Sequence, residues 1–186
     1  MTDTAAAAAD IHTDLPPLTL ILGGARSGKS TYAEALIGAR PAVYLATGTA
    51  GDAEMADRIR HHRGRRGAHW RTHEEPLALA EALRRVARPD RPVLVDCLTL
   101  WLSNVMLADR DVVAEAAALV SALPRLDGPV VLVSNEVGQG IVPDNALARR
   151  FRDEAGRLHQ AVAAVAQRVV FVVAGLPMVL KDVKAG

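Results

Sequence analysis

Residues 18–36 read LTLILGGARSGKSTYAEAL and join an aliphatic run, a glycine-rich turn and a helical pattern in direct succession. Within this stretch Gly23, Gly28, Lys29 and Ser30 fit the phosphate-binding pattern G-x-x-x-x-G-K-[ST]. Glycines let the backbone N–H groups face a phosphate, and the start of the helix adds partial positive charge. We expect Lys29 to reach the terminal phosphates and the Ser30 hydroxyl to hold Mg²⁺. A chance match is the alternative, and the strand before the turn and the helix after it count against it.

Short aliphatic runs alternate with helical patterns along the rest of the chain. The runs show no polar alternation, which is typical of strands buried on both faces. The alternation predicts an α/β fold of the P-loop NTPase (RecA-like) class, a mainly parallel sheet flanked by helices on both faces. The predicted strands are 18–22, 42–46, 93–95, 130–133 and 169–174, and the predicted helices are 29–39, 53–63, 76–88, 98–108, 112–123 and 145–168.

Length and composition bound the number of domains and the class of partner. The 186 residues predict a single domain over 18–186, after an alanine-rich leader over 1–17 that we expect to be disordered. A net charge of +1 gives no case for nucleic-acid binding, and no apolar run is long enough to span a membrane. The lone cysteine, Cys97, excludes an internal disulfide framework and favours a cytoplasmic location.

A phosphate-binding loop requires a carboxylate for its metal ion, usually at the end of another strand. Asp96 directly follows the aliphatic run 93–95, so we predict that it holds Mg²⁺ together with Ser30. The alternative is that Asp96 only caps the helix predicted to follow it.

A second polar group follows the aliphatic run 130–133. We predict that Asn135, Glu136 and Gly138 lie at the carboxyl end of a sheet strand, where open α/β sheets bind ligands. The alternative is a tight turn that requires Gly138 and Gly140 for backbone reasons alone.

Two adjacent histidines occur near the end of the helix predicted over 53–63. His62 shares the apolar face of that helix, whereas His61 lies nearer its polar side. The basic run that follows favours a neutral, nucleophilic imidazole and can hold phosphates. A packing histidine beside a solvated basic loop is the alternative, and the residues alone leave the two open.

Two long blocks give the chain a specific resemblance. They are EMADRIRHHRGRRGAHWRTHEEP at 54–76 and SNEVGQGIVPDNALARRFRDEAGRLHQ at 134–160. With the phosphate-binding loop and VLVDCLTLWLSN at 93–104, they resemble the bifunctional adenosylcobinamide kinase / adenosylcobinamide-phosphate guanylyltransferase family of cobalamin biosynthesis. The resemblance covers nearly everything after residue 17.

The resemblance implies two activities. The first phosphorylates adenosylcobinamide with ATP or GTP. The second transfers GMP from GTP to adenosylcobinamide phosphate, giving adenosylcobinamide-GDP and pyrophosphate through a covalent GMP-histidine. The family pattern R-I-x-x-H-[RK] places the GMP on His62 rather than His61, and the family suggests a homotrimer that uses Mg²⁺.

The resemblance also implies which residues act. Lys29 and His62 are the implied catalytic residues, and Ser30 and Asp96 the implied metal ligands. The implied nucleotide contacts are Gly23, Gly24, Ala25, Arg26, Ser27, Gly28, Lys29, Ser30, Ala46, Thr47, Gly48, Arg63, Gly64, Arg65, Arg66, Glu74 and Asp96. Two rival hypotheses are a P-loop NTPase switch and a kinase-only relative without the transferase step. The switch hypothesis is disfavoured because a simple switch has no use for the histidine–arginine cluster. The sequence also lacks a charged face that would bind a partner.

Overall fold

The computed structural model describes residues 15–48 and 67–183. The strands are β1 (Leu18–Gly23), β2 (Ala42–Ala46), β3 (Trp70–Glu74), β4 (Val93–Asp96), β5 (Val130–Asn135), β6 (Arg168–Val173) and β7 (Leu176–Asp182). The helices are α1 (Lys29–Ile37), α2 (Leu79–Val86), α3 (Leu98–Leu107), α4 (Val112–Ala122) and α5 (Ala146–Val165), with a short 3₁₀ turn at Leu123–Arg125.

The strands form one sheet in the order β3-β2-β4-β5-β1-β6-β7. All neighbouring strands pair in parallel except β7, which runs antiparallel to β6. The carboxyl ends of the parallel strands therefore meet at one edge of the sheet, which is where open α/β sheets bind ligands. The phosphate-binding loop leaves β1 at this edge.

Successive residues of each strand point to opposite faces, and in the central strands both faces are buried. On one face, residues such as Ile21 and Val131 pack against Ala33, Leu36 and Ile37 of α1. On the other face, the alternate strand residues pack against apolar side chains of α2, α3, α4 and α5. This arrangement confirms the predicted α/β fold with helices on both faces of a mainly parallel sheet.

The five predicted strands are confirmed: β2 has the predicted ends, and the other four are shifted at one or both ends by one or two residues. β3 and β7 were not predicted. Both are edge strands, so they do not carry the aliphatic runs of the central strands. β3 reads WRTHE and is partly or fully exposed along its length, and β7 contains Pro177 and is exposed on both faces. Composition alone does not separate such segments from loops.

The five predicted helices that fall within the described residues are confirmed, but each prediction extends too far, three of them by two residues or more. α1 ends where Gly38 takes a left-handed φ of 66°, and residues 76–78 precede α2 rather than belong to it. The prediction over 145–168 is wrong at its end, because α5 stops at Val165 and Arg168 is already the first residue of β6. The helix predicted over 53–63 lies outside the described residues.

Across residues 15–48 and 67–183, none of the helices has both the length and the apolar character that a membrane crossing demands.

Candidate nucleotide site

Two glycines of the phosphate-binding loop are required by its geometry. Gly28, the N-cap of α1, has a φ of 95°, and a Cβ built on it would lie 3.1 Å from the Cα of Gly175. A Cβ on Gly23 would lie 2.6 Å from the carbonyl oxygen of Val172. The contact at Gly23 is closer than real Cβ atoms come to backbone, and the contact at Gly28 is tight and adds to its left-handed φ. A larger residue at either place would strain the loop against β6 and the turn after it.

Lys29 is buried at the first turn of α1, with only 8% of its surface exposed. Its Nζ donates a hydrogen bond to the carbonyl oxygen of Gly24 at 3.1 Å, so the side chain folds back across the loop. Among residues 15–48 and 67–183 no carboxylate forms an ion pair with Lys29. A buried ammonium group without an anion is costly, so this loop favours an anionic ligand such as a phosphate.

Backbone hydrogen bonds hold the loop from both sides. The N–H of Glu136, just beyond β5, donates to the carbonyl oxygen of Gly23 at 3.0 Å. The N–H of Gly175, in the turn between β6 and β7, donates to the carbonyl oxygen of Ser27 at 2.8 Å. The loop is thus preorganised by two neighbouring strands, which lowers the entropy cost of ordering it around a ligand.

Three of the predicted nucleotide contacts lie in one row at the carboxyl edge. Ala46 at the end of β2 is the register partner of Glu74 on β3 and of Asp96 on β4. Neighbouring strands are about 4.8 Å apart, so Glu74 and Asp96 lie on either side of Ala46 within about 10 Å of each other.

Asp96 does not cap a helix. The N-cap of α3 is Cys97, and no side chain caps that helix. One oxygen of Asp96, Oδ2, instead accepts a hydrogen bond of 2.6 Å from the hydroxyl of Tyr44, a buried residue of β2. The capping alternative is therefore wrong, and the carboxylate is held in a fixed orientation at the strand end.

The other two residues after β2 differ in what their side chains can do. Thr47 is fully buried, and its hydroxyl donates to the carbonyl oxygen of Cys97 at 2.8 Å and accepts from the Cys97 N–H at 2.9 Å. The Nδ2 of Asn104 donates to the carbonyl oxygen of Thr47 at 2.7 Å. The Thr47 side chain is thus engaged in joining β2 to the start of α3, while Gly48 is half-buried at the same edge.

The electrostatics of Cys97 show that the two key charges lie near one place. Burial raises the pKa of the Cys97 thiol, and the negative charge of Asp96 raises it further. The ammonium group of Lys29 acts in the opposite direction and lowers that pKa. The raised pKa keeps the thiol protonated, so Cys97 behaves as a packing residue with a weak hydrogen-bonding group rather than as a nucleophile.

The polar residues after β5 lie where the sequence places them. Asn135 ends β5, and Glu136 follows at the carboxyl edge. The Glu136 carboxylate accepts from the N–H of Gly138 at 2.9 and 2.8 Å, which stabilises the turn. Neither Gly138 nor Gly140 has a left-handed φ, so the alternative of a turn that requires both glycines is wrong. A ligand contact of Glu136 stays a prediction.

The donor set fits a magnesium ion bound together with a nucleotide. Ser30, in the first turn of α1, and Asp96, at the end of β4, are both half-buried and supply oxygen ligands. No group of three or more His, Cys, Asp or Glu side chains converges within the described ranges. Mg²⁺ is commonly held by one or two protein oxygens plus substrate phosphates and water, which is what this site offers.

The predicted transferase residues fall in the undescribed part of the chain. His62, its neighbour His61, and Arg63, Gly64, Arg65 and Arg66 all lie outside the described residues. The described chain stops at Gly48, directly after β2, at the edge that carries the phosphate-binding loop.

Three polar residues that contact the site were not predicted from the sequence: Tyr44, Asn104 and Thr99, whose hydroxyl accepts a hydrogen bond from the side chain of Asn135. Tyr44 sits within the run AVYLA, and its pattern indicates only a buried strand. Thr99 and Asn104 sit in α3, whose sequence is dominated by apolar residues. A polar residue inside an apolar run was the available signal, because buried polar groups need partners.

Comparisons with known proteins identify the relatives of this chain. The family model described as cobinamide kinase / cobinamide phosphate guanyltransferase matches residues 19–180. The bifunctional adenosylcobalamin biosynthesis protein CobP of Pseudomonas aeruginosa is 57% identical over 166 residues, covering 87% of this chain and 96% of the relative. The protein CobU of Salmonella typhimurium, also called a bifunctional adenosylcobalamin biosynthesis protein, is 44% identical over 180 residues. This match covers 88% of this chain and 99% of the relative.

Solved structures show the fold alone. A Pyrococcus horikoshii protein known as PH0250 superposes with a TM-score of 0.54 at 11% identity, over 92% of this chain and 90% of that one. An ATPase of a bacterial type III secretion system superposes with a TM-score of 0.52 at 13% identity, over 87% of this chain and 56% of that one. Sequence similarity over nearly the full length of the relatives, together with the phosphate-binding fold, shows that the chain belongs to the cobinamide kinase / cobinamide phosphate guanyltransferase family.

Proposed function

We propose that this chain carries out the two reactions of its family at the carboxyl edge of the sheet. It phosphorylates adenosylcobinamide with ATP or GTP and then joins GMP from GTP to the phosphorylated product. The observation that carries the proposal is the buried ammonium group of Lys29, folded over a rigid glycine-rich loop without an anionic partner among the described residues.

The kinase step requires positioning and charge neutralisation more than covalent chemistry by the protein. Lys29 neutralises the terminal phosphates, and the backbone of residues 23–28 orients them. Ser30 and Asp96 would hold Mg²⁺, with Tyr44 fixing the carboxylate of Asp96. The ion, when bound with the nucleotide, spreads the negative charge of the transferring phosphoryl group.

The transferase step is proposed to run through His62 in two displacements. The imidazole attacks the α-phosphorus of GTP, forms a P–N bond and releases pyrophosphate. A phosphate oxygen of adenosylcobinamide phosphate then attacks the same phosphorus, and the P–N bond breaks to restore free His62. Arg63, Arg65 and Arg66 would pair with phosphate oxygens in both displacements. Two observations support this step: the resemblance to the family, and the basic run that directly follows His62 in the sequence.

A homo-oligomer, a trimer by resemblance to the family, is also part of the proposal. β7 is an edge strand, and four of its apolar side chains are more than half exposed: Leu176, Met178, Val179 and Leu180. Exposed apolar edge strands usually have a partner. A cytoplasmic location, where adenosylcobinamide and nucleoside triphosphates meet, completes the proposal.

The test is incubation of the protein with adenosylcobinamide, ATP, GTP and Mg²⁺, with products separated by mass. We expect adenosylcobinamide phosphate, adenosylcobinamide-GDP and protein that carries acid-labile GMP. A kinase-only enzyme would give the phosphate without the GMP adduct. A switch would give nucleotide hydrolysis alone, and that result would overturn the proposal.

Variants assign the steps to residues. Lys29→Ala is expected to lower phosphorylation at least roughly a hundredfold while the protein remains folded. With α-³²P-labelled GTP, His61→Ala should retain label and His62→Ala should not, with phosphorylation kept in both. Label that persists on His62→Ala and disappears from His61→Ala would move the nucleophile to the other histidine.

A further inference from the structure

Asn135 occupies the strand between the two elements that carry the proposed metal ligands. β5 lies between β1, which leads into the phosphate-binding loop and Ser30, and β4, which ends at Asp96. Asn135 is the last residue of β5 and the register partner of Gly23, the first glycine of the loop. Its half-buried side chain therefore starts from the carboxyl edge, at the level of the first residue of the phosphate-binding loop.

Thr99 fixes the orientation of the Asn135 carboxamide. The Nδ2 of Asn135 donates to the Thr99 Oγ1 at 3.0 Å, and its backbone N–H approaches the same oxygen at 3.4 Å. Thr99 is itself buried, and its Oγ1 lies 3.2 Å from the Sγ of Cys97. Because the amide nitrogen is bound to this hydroxyl, the amide oxygen Oδ1 must point away from it.

The Oδ1 of Asn135 accepts no hydrogen bond from any residue in the described ranges. An amide oxygen is only an acceptor, so it cannot bind a phosphate oxygen, which is an acceptor as well. It can bind a hydroxyl or a water molecule. Mg²⁺ bound to a nucleotide keeps several of its waters, and those waters are strong donors.

We propose that Asn135 is a positioning residue of the nucleotide site, whose carboxamide oxygen accepts a hydrogen bond from a water on the nucleotide-bound Mg²⁺. The inference rests on the proposed function, because it requires Mg²⁺ and a nucleotide at this edge. Thr99 serves the same end by holding the carboxamide, and Cys97 by holding Thr99. The three residues form one chain of contacts from α3 to the edge of the sheet.

The test measures equilibrium binding of a non-hydrolysable ATP analogue with and without Mg²⁺. The quantity of interest is the factor by which Mg²⁺ tightens binding. For Asn135→Ala we expect this factor to fall about tenfold, the size of one hydrogen bond to a charged group, with metal-free affinity unchanged. Asn135→Asp retains an acceptor oxygen and should keep the wild-type factor or exceed it.

Thr99→Val and Asn145→Ala complete the series. Thr99→Val leaves Asn135 in place but releases its carboxamide, so we expect a smaller loss of about threefold in the same factor. Asn145 caps α5, where its side chain accepts hydrogen bonds from the N–H groups of Leu147 and Ala148. Asn145→Ala is therefore the matched control, and we expect Mg²⁺ to tighten its binding by the same factor as in the wild type. Thermal unfolding of each variant checks that it is folded. If Asn135→Ala does not fold, the loss expected for Thr99→Val is the result that tests the proposal.

Two different failures are separable. If the wild-type protein binds the analogue no better with Mg²⁺, or Asp96→Asn leaves the Mg²⁺ effect unchanged, the proposed metal site itself is overturned. If the wild-type effect is present and sensitive to Asp96→Asn, but Asn135→Ala and Thr99→Val both keep the full factor, the role of Asn135 alone is overturned.

Discussion

At the scale of single residues, the contact between Tyr44 and Asp96 decides how the proposed metal carboxylate is presented. The Tyr44 hydroxyl donates to Oδ2 of Asp96 at 2.6 Å, which is a short hydrogen bond to a carboxylate oxygen. With Oδ2 bound to the phenol, Oδ1 is the oxygen most available to a cation. Tyr44 thus selects one of two equivalent oxygens, a role that its place in a buried strand does not suggest.

Tyr44→Phe removes this hydrogen bond while preserving the ring, which also packs edge-on against Trp70 with 6.0 Å between ring centroids. We expect the Mg²⁺ concentration for half-maximal kinase activity to rise several-fold, since a hydrogen bond to a charged group contributes about 1.5–3 kcal/mol. A magnesium titration of initial rates measures it.

Tyr32→Phe is the control for Tyr44→Phe, because Tyr32 is a half-buried tyrosine of α1 without a hydrogen bond to Asp96. Equal magnesium requirements in wild type and in both variants would show that Tyr44 is only a packing residue of the core.

Among the residues of the site, some could be predicted from the sequence and others could not. The loop glycines, Lys29 and Asp96 are predictable because their chemistry is local: a motif, or a polar residue directly after an aliphatic run. The partners of Asp96 and Thr47 are not, because Tyr44 is 52 residues from Asp96 and Asn104 is 57 residues from Thr47. Contacts at such separation depend on strand order, which periodicity does not report.

At the scale of secondary-structure elements, one buried polar contact joins α5 to β5. The Oγ of Ser134 lies 2.7 Å from Nε2 of His159, and both residues are buried. Burial lowers the pKa of His159, while the negative charge of Glu136 acts in the opposite direction. The imidazole is therefore neutral in the folded protein at neutral pH.

This pair predicts a pH dependence of stability. The pKa of His159 is lower in the folded protein than the value of about 6.5 expected after unfolding, so the unfolded chain binds the proton more readily. Stability should therefore decrease as the pH falls through about 6.5, by at most about 1.4 kcal/mol per pH unit from this residue. Urea unfolding between pH 7.5 and pH 5 measures the slope.

His159→Gln is the matched variant, because glutamine can still bond to Ser134 but does not titrate. We expect its slope over the same pH range to be shallower than that of wild type. Parallel slopes in the two proteins would assign the acid sensitivity to other groups.

Elements also mark the limit of prediction for the fold. The central strands were predictable since a strand buried on both faces must be aliphatic throughout. The edge strands β3 and β7 carry mixed or proline-containing sequences, and their pairing is imposed by the neighbouring strand rather than by composition. The end of α5 was misplaced because its helical pattern continues into Arg168 without a glycine or proline to end it.

At the scale of the whole molecule, β7 presents the apolar edge of the sheet to its surroundings. If this edge joins copies of the chain, a charge placed on it should weaken assembly. We expect Met178→Lys, at a position 57% exposed, to shift the protein toward monomer, as measured by light scattering during size-exclusion chromatography.

Val113→Lys is the matched control for the assembly experiment. Val113 lies on α4 and is 70% exposed, so it carries the same change of charge on a helix that packs against the neighbouring helices. An oligomer that survives Met178→Lys unchanged, or a shift of equal size in Val113→Lys, would place the interface elsewhere.

The position of β1 in the middle of the sheet has a consequence for how the protein is made on the ribosome. β1 is the first strand of the described residues, yet Leu18 pairs with Val130 and Thr19 pairs with Arg168. While the nascent chain is short, its glycine-rich turn has neither neighbouring strand, and the bonds from Glu136 and Gly175 that shape it do not exist. We therefore expect the nascent chain to bind a nucleoside triphosphate only after β6 and the turn that follows it have been translated.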